Sequence, residues 1–528
     1  MDRNVIIAIV LSILVLIGYQ QLFPPSQSQQ QKDTSTQKEK PQDTTQTAPS
    51  QKEKPQEAPK TTSLQTVNIP AYLKDSKDTK DLDKEIVVEN NLYQTIFSAK
   101  GAVIKNITLK KYTDKSGKQI SFKGDNIIPP LSLGMDESFQ LSNLIFKTKG
   151  SDIKLDNSLP SASLVFEFSS PELTITRTYT FTHDDYSINL KDEVKGLNSY
   201  WITLGRDFGI YERDDSAHFG PVILKDTDRL EFTAEGLNKD GSKNYKQGLK
   251  WIAQEDKYFF ASIVPKTPIE DSKVWNSNGY ALVALKMPAG ANNYLIYAGP
   301  KEYETLKKYQ AGLEHIVDFG IFSILAIPLL WVMNVFYGVF HNYGVAIILL
   351  TIITRIPFIP IISKGMSSMK KIQDIQPKIN EIREKYKKDP KKMNQELMAI
   401  YKKHKVNPFG GCLPILLQIP VFFALYKILS LSIELRGAPF MLWITDLSEK
   451  DPYYILPIIM GVTMVIQQKM TPSTMDPKQQ KLMMLLPVVF TFLFLTFPSG
   501  LVLYWLVNYI LGIGQQLYIN KKADKKTS

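Results

Sequence analysis

A chain of 528 residues, 44% hydrophobic and 22% charged, has material for more than one domain. Its net charge of +11 is unevenly placed: residues 1–320 hold 39 Lys+Arg against 41 Asp+Glu, a net of −2, and residues 321–528 hold 24 against 11, a net of +13. The lone cysteine, Cys412, excludes an intrachain disulfide and a cysteine-cluster metal site. The five histidines have no ligand spacing, and there is no phosphate loop, dinucleotide fingerprint or nucleophile elbow, which disfavours ATP-driven transport and hydrolase chemistry.

The chain opens with an apolar run from Val5 to Phe23. At about 1.5 Å per residue these residues cross a hydrocarbon core as a helix. The exit GYQQLFPP offers no small-x-small cleavage site, so the segment reads as an uncleaved anchor rather than a signal peptide. Pro24 to Thr66 is Gln, Lys, Thr, Ser and Pro, with QKEKPQ at Gln37–Gln42 and again at Gln51–Gln56. Such a polar stretch cannot bury enough surface to offset its ordering entropy, and reads as a disordered linker. From about 67 to 310 the pattern changes to period two. Leu164–Phe168, Leu173–Phe181 and Tyr186–Val194 alternate apolar and polar residues between turn clusters, the signature of an antiparallel β domain. Asp214, Asp215 and Asp226 resemble a glycosidase-like carboxylate set but stand without support, and read as solvated loop charges.

Beyond Asp318 come apolar stretches at Gly344–Ile362, Cys412–Ile433, Tyr453–Ile466, Leu482–Phe497 and Gly500–Leu517. The loop Lys364–Lys405 has 13 Lys+Arg against 5 Asp+Glu, whereas Glu434–Asp451 has 2 against 4. The positive-inside rule places the basic loop, a second at Lys469–Lys481 and the C-terminal tail in the cytoplasm. With the anchor this gives six spans, both termini cytoplasmic and the β domain outside. Ile321–Phe340 is long enough to cross, but a seventh span would break the alternation, so it reads as a helix in the outer interface.

Arg355 lies inside LLTIITRIPFIPII, nine residues before Lys364. A lipid-facing arginine at that depth costs roughly 2.5–3.5 kcal/mol or more, so it is expected to face a cavity or a partner rather than to snorkel. Thr351 stands at i−4 on the same helical face, and Gln418, Gln467, Thr491 and Asn508 are candidates for the same cavity. No later span contains an Asp or Glu, so the arginine lacks an intramembrane counter-ion and is suited to attracting an external anion. The basic loop reads as two amphipathic helices broken at Lys388-Asp389-Pro390, with Ile372, Ile375, Ile379 and Ile382 on one face of the first and Met393, Leu397 and Ile400 on one face of the second. Its exposed lysines, among them Lys385, Lys387 and Lys388, suit anionic lipid headgroups or, as a landing surface, the ribosome.

Three segments, Lys405–Tyr426, Phe440–Met464 and Phe497–Asn508, resemble the membrane protein insertases of the YidC/Oxa/Alb superfamily, in the Gram-negative form with a large periplasmic domain. Trp251 to Phe259 fits that domain more loosely. The resemblance implies a multidomain membrane protein: an all-α transmembrane core of five helices plus the N-terminal anchor, with a periplasmic antiparallel β-supersandwich. The expected organisation is an anchor over 1–23, a linker over 24–66, the β domain over 67–310, an interfacial amphipathic helix over 311–342, an insertase core over 343–520 with a cytoplasmic hairpin at 364–406, and a basic tail over 521–528. It further implies a positively charged groove open to cytoplasm and lipid, with Arg355, Thr351, Gln418, Tyr504 and Trp505 at groove positions. Lys427 departs from the family's apolar or aromatic choice and is expected to snorkel away from the groove. Implied partners are nascent membrane proteins, the SecYEG translocon with accessory Sec proteins, and the ribosome, with a monomer sufficient. No catalytic residue, cofactor or metal is implied. The competing reading of the same arginine is a secondary transporter of small anions, which predicts inverted repeats that the sequence does not display.

Overall fold

The computed structural model describes residues 84–123, 127–206, 208, 217–406, 413–471 and 483–527. The expected anchor and linker, and most of the loop at Lys469–Lys481, lie outside the described residues.

The β domain consists of two sheets sharing one core. The smaller is ordered Gln119–Lys123, Val103–Thr113, Tyr93–Ser98, Glu85–Glu89 and Ile153–Lys154, antiparallel except for its last pair. The larger has the main path Asp228–Glu231, Gly220–Lys225, Leu249–Glu255, Phe259–Pro265, Tyr280–Pro300, Ser187–Thr203, Thr174–Thr182 and Ser161–Ser169. Alternation is the cause: on Thr174–Thr182 the buried positions are Ile175, Arg177, Tyr179 and Phe181, with threonines between them turned outward. Phe97 of the smaller sheet meets Tyr179 and Phe181 of the larger at ring-centroid distances of 4.7 and 5.6 Å. The expected strand Tyr186–Val194 runs on as Ser187–Thr203, past Gly196 at φ 97. A side chain at Gly196 would collide with the Glu172 carbonyl, so a glycine lets the strand continue there. Asp226, one of the three carboxylates weighed above, is an exposed turn residue between Gly220–Lys225 and Asp228–Glu231; Asp214 and Asp215 lie outside the described residues.

The helical part begins with α1 (Ser323–Phe340), which ends at His341 in the left-handed conformation. Asn342 caps α2 (Tyr343–Arg355), its side chain accepting from the Val345 amide at 3.0 Å, so the four residues HNYG suffice to reverse the chain. A 3-10 turn at Ile356–Phe358 separates α2 from α3 (Ile359–Asp374). Then follow α4 (Gln376–Lys385), α5 (Pro390–Lys403), α6 (Leu413–Leu431), α7 (Ile455–Met470), α8 (Leu486–Phe494) and α9 (Ser499–Thr527). Leu350, Leu425, Leu429, Met460, Leu501 and Tyr504 share the buried core of α2, α6, α7 and α9. Gly461 seats the Thr491 side chain, and Gly512 seats that of Gln467. Small residues thus bring α7 close to α8 and α9, as lipid-embedded helices require. Gln467 and Thr491 thereby leave the cavity expected of them and become packing residues.

The outer faces of these helices are apolar. Ile458, Val462 and Ile466 on α7, and Val488, Val489 and Phe492 on α8, are all exposed. Such a surface is stable where the solvent is hydrocarbon. By length and composition, Gly320–Phe340 and Tyr343–Asp374 suffice to cross a membrane. On α1, Ile324 is 81% exposed and no charged residue is present, so this helix lacks the polar face of an amphipathic interfacial helix.

Candidate functional site

Arg355 ends α2 where prolines break the ladder: Pro357 and Pro360 lack the N–H groups that would bond the carbonyls of Ile353 and Ile356. Its half-buried side chain turns toward α9. Nη1 donates to the Asn508 carbonyl at 2.9 Å and to Asn508 Oδ1 at 3.2 Å, and Nη2 donates to Gln515 Oε1 at 3.3 Å. Every partner is neutral; among the described residues no carboxylate pairs with this guanidinium. Beside it, Gln418 on α6 donates to the Tyr504 hydroxyl at 3.0 Å. Arg355, Gln418, Tyr504 and Asn508 line a cavity together with Thr354, Phe358, Ile362 and Val421. Its volume is about 10 Å³, close to the roughly 10–15 Å³ that a single water needs.

Two expected members fall elsewhere. Thr351 is 1% exposed and its hydroxyl donates to the Ile347 carbonyl at 2.7 Å, so it faces the packed interior; Thr354, one turn nearer the proline break, lines the cavity instead. Trp505 follows Tyr504 but points about 100° away around the helix. It packs among Phe422, Phe494 and Tyr509, and its indole N–H is buried with no acceptor among the described residues. Gln515 went unrecognised in the sequence, although it stands seven residues after Asn508, two turns along the same face.

In the basic loop the break at Asp389-Pro390 is as expected: the Asp389 carboxylate accepts from the Lys392 amide at 3.1 Å and caps α5. The first arm differs. Pro377 starts a new helix, so Ile372 closes α3, Ile375 sits at the junction and Ile379 belongs to α4. All three are buried with Met369, Leu397, Tyr401 and Val406 in a separate small core. Lys385, Lys387 and Lys388 are exposed at the tip.

Lys427 turns away from Arg355 to the seam between the helical core and the β domain, its Nζ 3.6 Å from Asp318 Oδ2. There it lines a second cavity, about 90 Å³, with Arg229, Glu231, Glu255 and Lys301. Arg229 pairs with both glutamates, and Lys301 reaches Glu255 at 2.6 Å. Burial pushes the Asp318 carboxyl up, but Lys427 and Arg229 outweigh it and hold it below the usual carboxylate range. On the same seam, burial raises Glu434 to about 7, with Glu302 and Glu304 adding repulsion against one opposing backbone hydrogen bond. Among the described residues no cluster of His, Cys, Asp or Glu could hold a metal ion.

A β domain mounted on a helical core with apolar outer faces and a cationic recess defines a class: integral membrane proteins with a large domain outside the bilayer. Residues 335–526 match the 60Kd inner membrane protein model and residues 85–332 match the YidC periplasmic domain model. The membrane protein insertase YidC of Geotalea daltonii is 41% identical over 545 residues, covering 99% of both chains, and that of Geotalea uraniireducens is 42% identical over the same length and coverage. A crystal structure of an active YidC insertase covers 82% of this chain and 92% of its own at 17% identity and a TM-score of 0.38. The chain belongs to the YidC family of membrane protein insertases. It is therefore a membrane protein with a periplasmic domain, and its function is insertion rather than enzymatic catalysis.

Proposed function

We propose that this insertase works on nascent membrane proteins through a groove built around Arg355, open to cytoplasm and lipid. The observation that carries the reading is a half-buried guanidinium held, among the described residues, by neutral acceptors alone. A carboxylate on an incoming tail makes shorter, charge-assisted bonds and displaces them. The groove lets a short hydrophilic tail cross with less hydrocarbon in its path, and the attached apolar helix then partitions into lipid. In this reading the chain has six spans in the inner membrane with both termini cytoplasmic, and the lysines at 385, 387 and 388 meet the ribosome or anionic headgroups. It acts as a monomer, alone or beside the SecYEG translocon. A secondary transporter of small anions predicts inverted repeats and an intramembrane proton or cation site, and the sequence displays neither. The test is photo-crosslinking from positions 354, 418 and 504 to ribosome-stalled membrane proteins. Adducts at these positions and none at the Trp505 position are expected; the reverse pattern would reject the groove.

A further inference from the structure

The Gln515 side chain on α9 spans the break between α2 and α3. Its Oε1 accepts from Arg355 at the end of α2, while its Nε2 donates to the Ile359 carbonyl at 3.3 Å and to Ser363 Oγ at 3.0 Å, both on α3. A primary amide presents an acceptor on its oxygen and two donors on its nitrogen, so it can hold different partners at its two ends. Gln515 uses both ends, across a point where two prolines leave the helical ladder open. Beyond the break, α3 runs without interruption to Asp374 and carries Met369 and Ile372 into the hairpin core. Anything that shifts the hairpin as a body therefore shifts Ile359 and Ser363 with it. Lys370 Nζ adds a second tie from α3 to α9, donating to the Asn520 carbonyl at 3.3 Å.

We propose that Gln515 is a positioning residue that couples the cytoplasmic hairpin to the groove arginine. While α3 holds the amide nitrogen, the amide oxygen occupies Arg355 Nη2. Displacement of α3 frees the amide to swing away and leaves Nη2 to an incoming carboxylate. The coupling rests on the groove reading above and adds to it the point at which engagement of the hairpin reaches the charge. With Asn508 on one guanidinium nitrogen and Gln515 on the other, the structure is the held state.

The test uses the full-length protein in proteoliposomes at matched abundance, with two single-span substrates that differ only in acidic or neutral tails. The readout is the ratio of acidic-tail to neutral-tail insertion. Gln515→Leu keeps the volume but cannot hold Arg355, and should raise the ratio by about two- to tenfold, the size of one net hydrogen bond. Gln515→Glu keeps the grip on Arg355, adds a repelling carboxylate and loses the donors to α3, and should lower the ratio. Ser363→Ala, which never touches the arginine, should raise the ratio by less than Gln515→Leu. It also carries the test if the leucine variant does not accumulate. Arg355→Ala is the reference: if it leaves the ratio unchanged, the groove reading itself falls and the coupling with it. If Arg355→Ala abolishes the preference while the position 515 and 363 variants leave it at wild type, or lower both tails equally, the coupling alone is overturned.

Discussion

Two arginines in this chain face opposite problems. Arg177 lies in the β domain with its side chain fully buried, bonded to Asp192 at 2.9 Å and donating to the carbonyls of Ala102 and Leu131. Arg355 lies in the helical core, half-buried, and its partners among the described residues are amides and a carbonyl. The first is closed chemistry: the charge is neutralised inside the fold and nothing from outside can reach it. The second has no counter-ion among the described residues, and under the proposed function the carboxylate of an incoming tail supplies the missing negative charge. The pairing state of a buried cation, more than its depth, separates scaffold from site.

The largest expected effect breaks the closed pair. Asp192→Ala strands a buried guanidinium and should cost about 3–5 kcal/mol, whereas the double change Arg177→Met with Asp192→Leu should lie near wild type or above it. Denaturant unfolding of the detergent-solubilised protein reads both, and equal losses for the single and double variants would show that packing, not charge, dominates. Next comes the hairpin. Ile379→Ala should cost about 2 kcal/mol locally, the low end for such a truncation because the cluster is small, and should impair insertion more than neutralising any two of Lys385, Lys387 and Lys388. Insertion assays ranking the lysine variants lower would favour a purely electrostatic surface.

At the open arginine, Arg355→Ala should reduce insertion of acidic-tailed substrates about tenfold, equivalent to about 1.4 kcal/mol, with little change in thermal stability, and Arg355→Lys should retain most activity. A loss of folded protein without substrate dependence would return Arg355 to the same class as Arg177. The smallest effect is at the seam. Glu434 has its folded pKa raised to about 7 from an ordinary 4.5, so its protonated form contributes stability below about 4.5 that is lost as pH rises through about 7. Thermal unfolding should accordingly fall between pH 5.5 and pH 8, and Glu434→Gln should flatten that slope. An unchanged slope would remove Glu434 as its source.

Much of this was legible in the sequence. The period-two strands, the β domain, the apolar helices and the isolated Arg355 follow from local pattern. Arg177 and Asp192 went unremarked there, although both occupy inward positions of alternating strands, where a charge demands a partner. What the sequence withheld depends on long-range geometry. Thr351 and Thr354 both lie within a turn of Arg355, and only the packing of α2 against α9 decides which one faces the cavity. Gln515 looks like ordinary polarity near a helix end until the proline break on α2 is brought beside it. Lys427 needed the whole tertiary arrangement, because Asp318 is more than a hundred residues away.

The long pairing of Ser187–Thr203 with Tyr280–Pro300 has a mechanical consequence. The second of these strands leads, through the short helix Tyr303–Lys308, toward α1. A pull from the membrane therefore loads that ladder along its length, so many backbone bonds resist in parallel instead of parting one by one. The seam is held by side chains instead: Lys427 with Asp318, Lys115 with Glu449, Arg436 over Tyr258 and Phe259, and Ile433 buried in the core of the β domain.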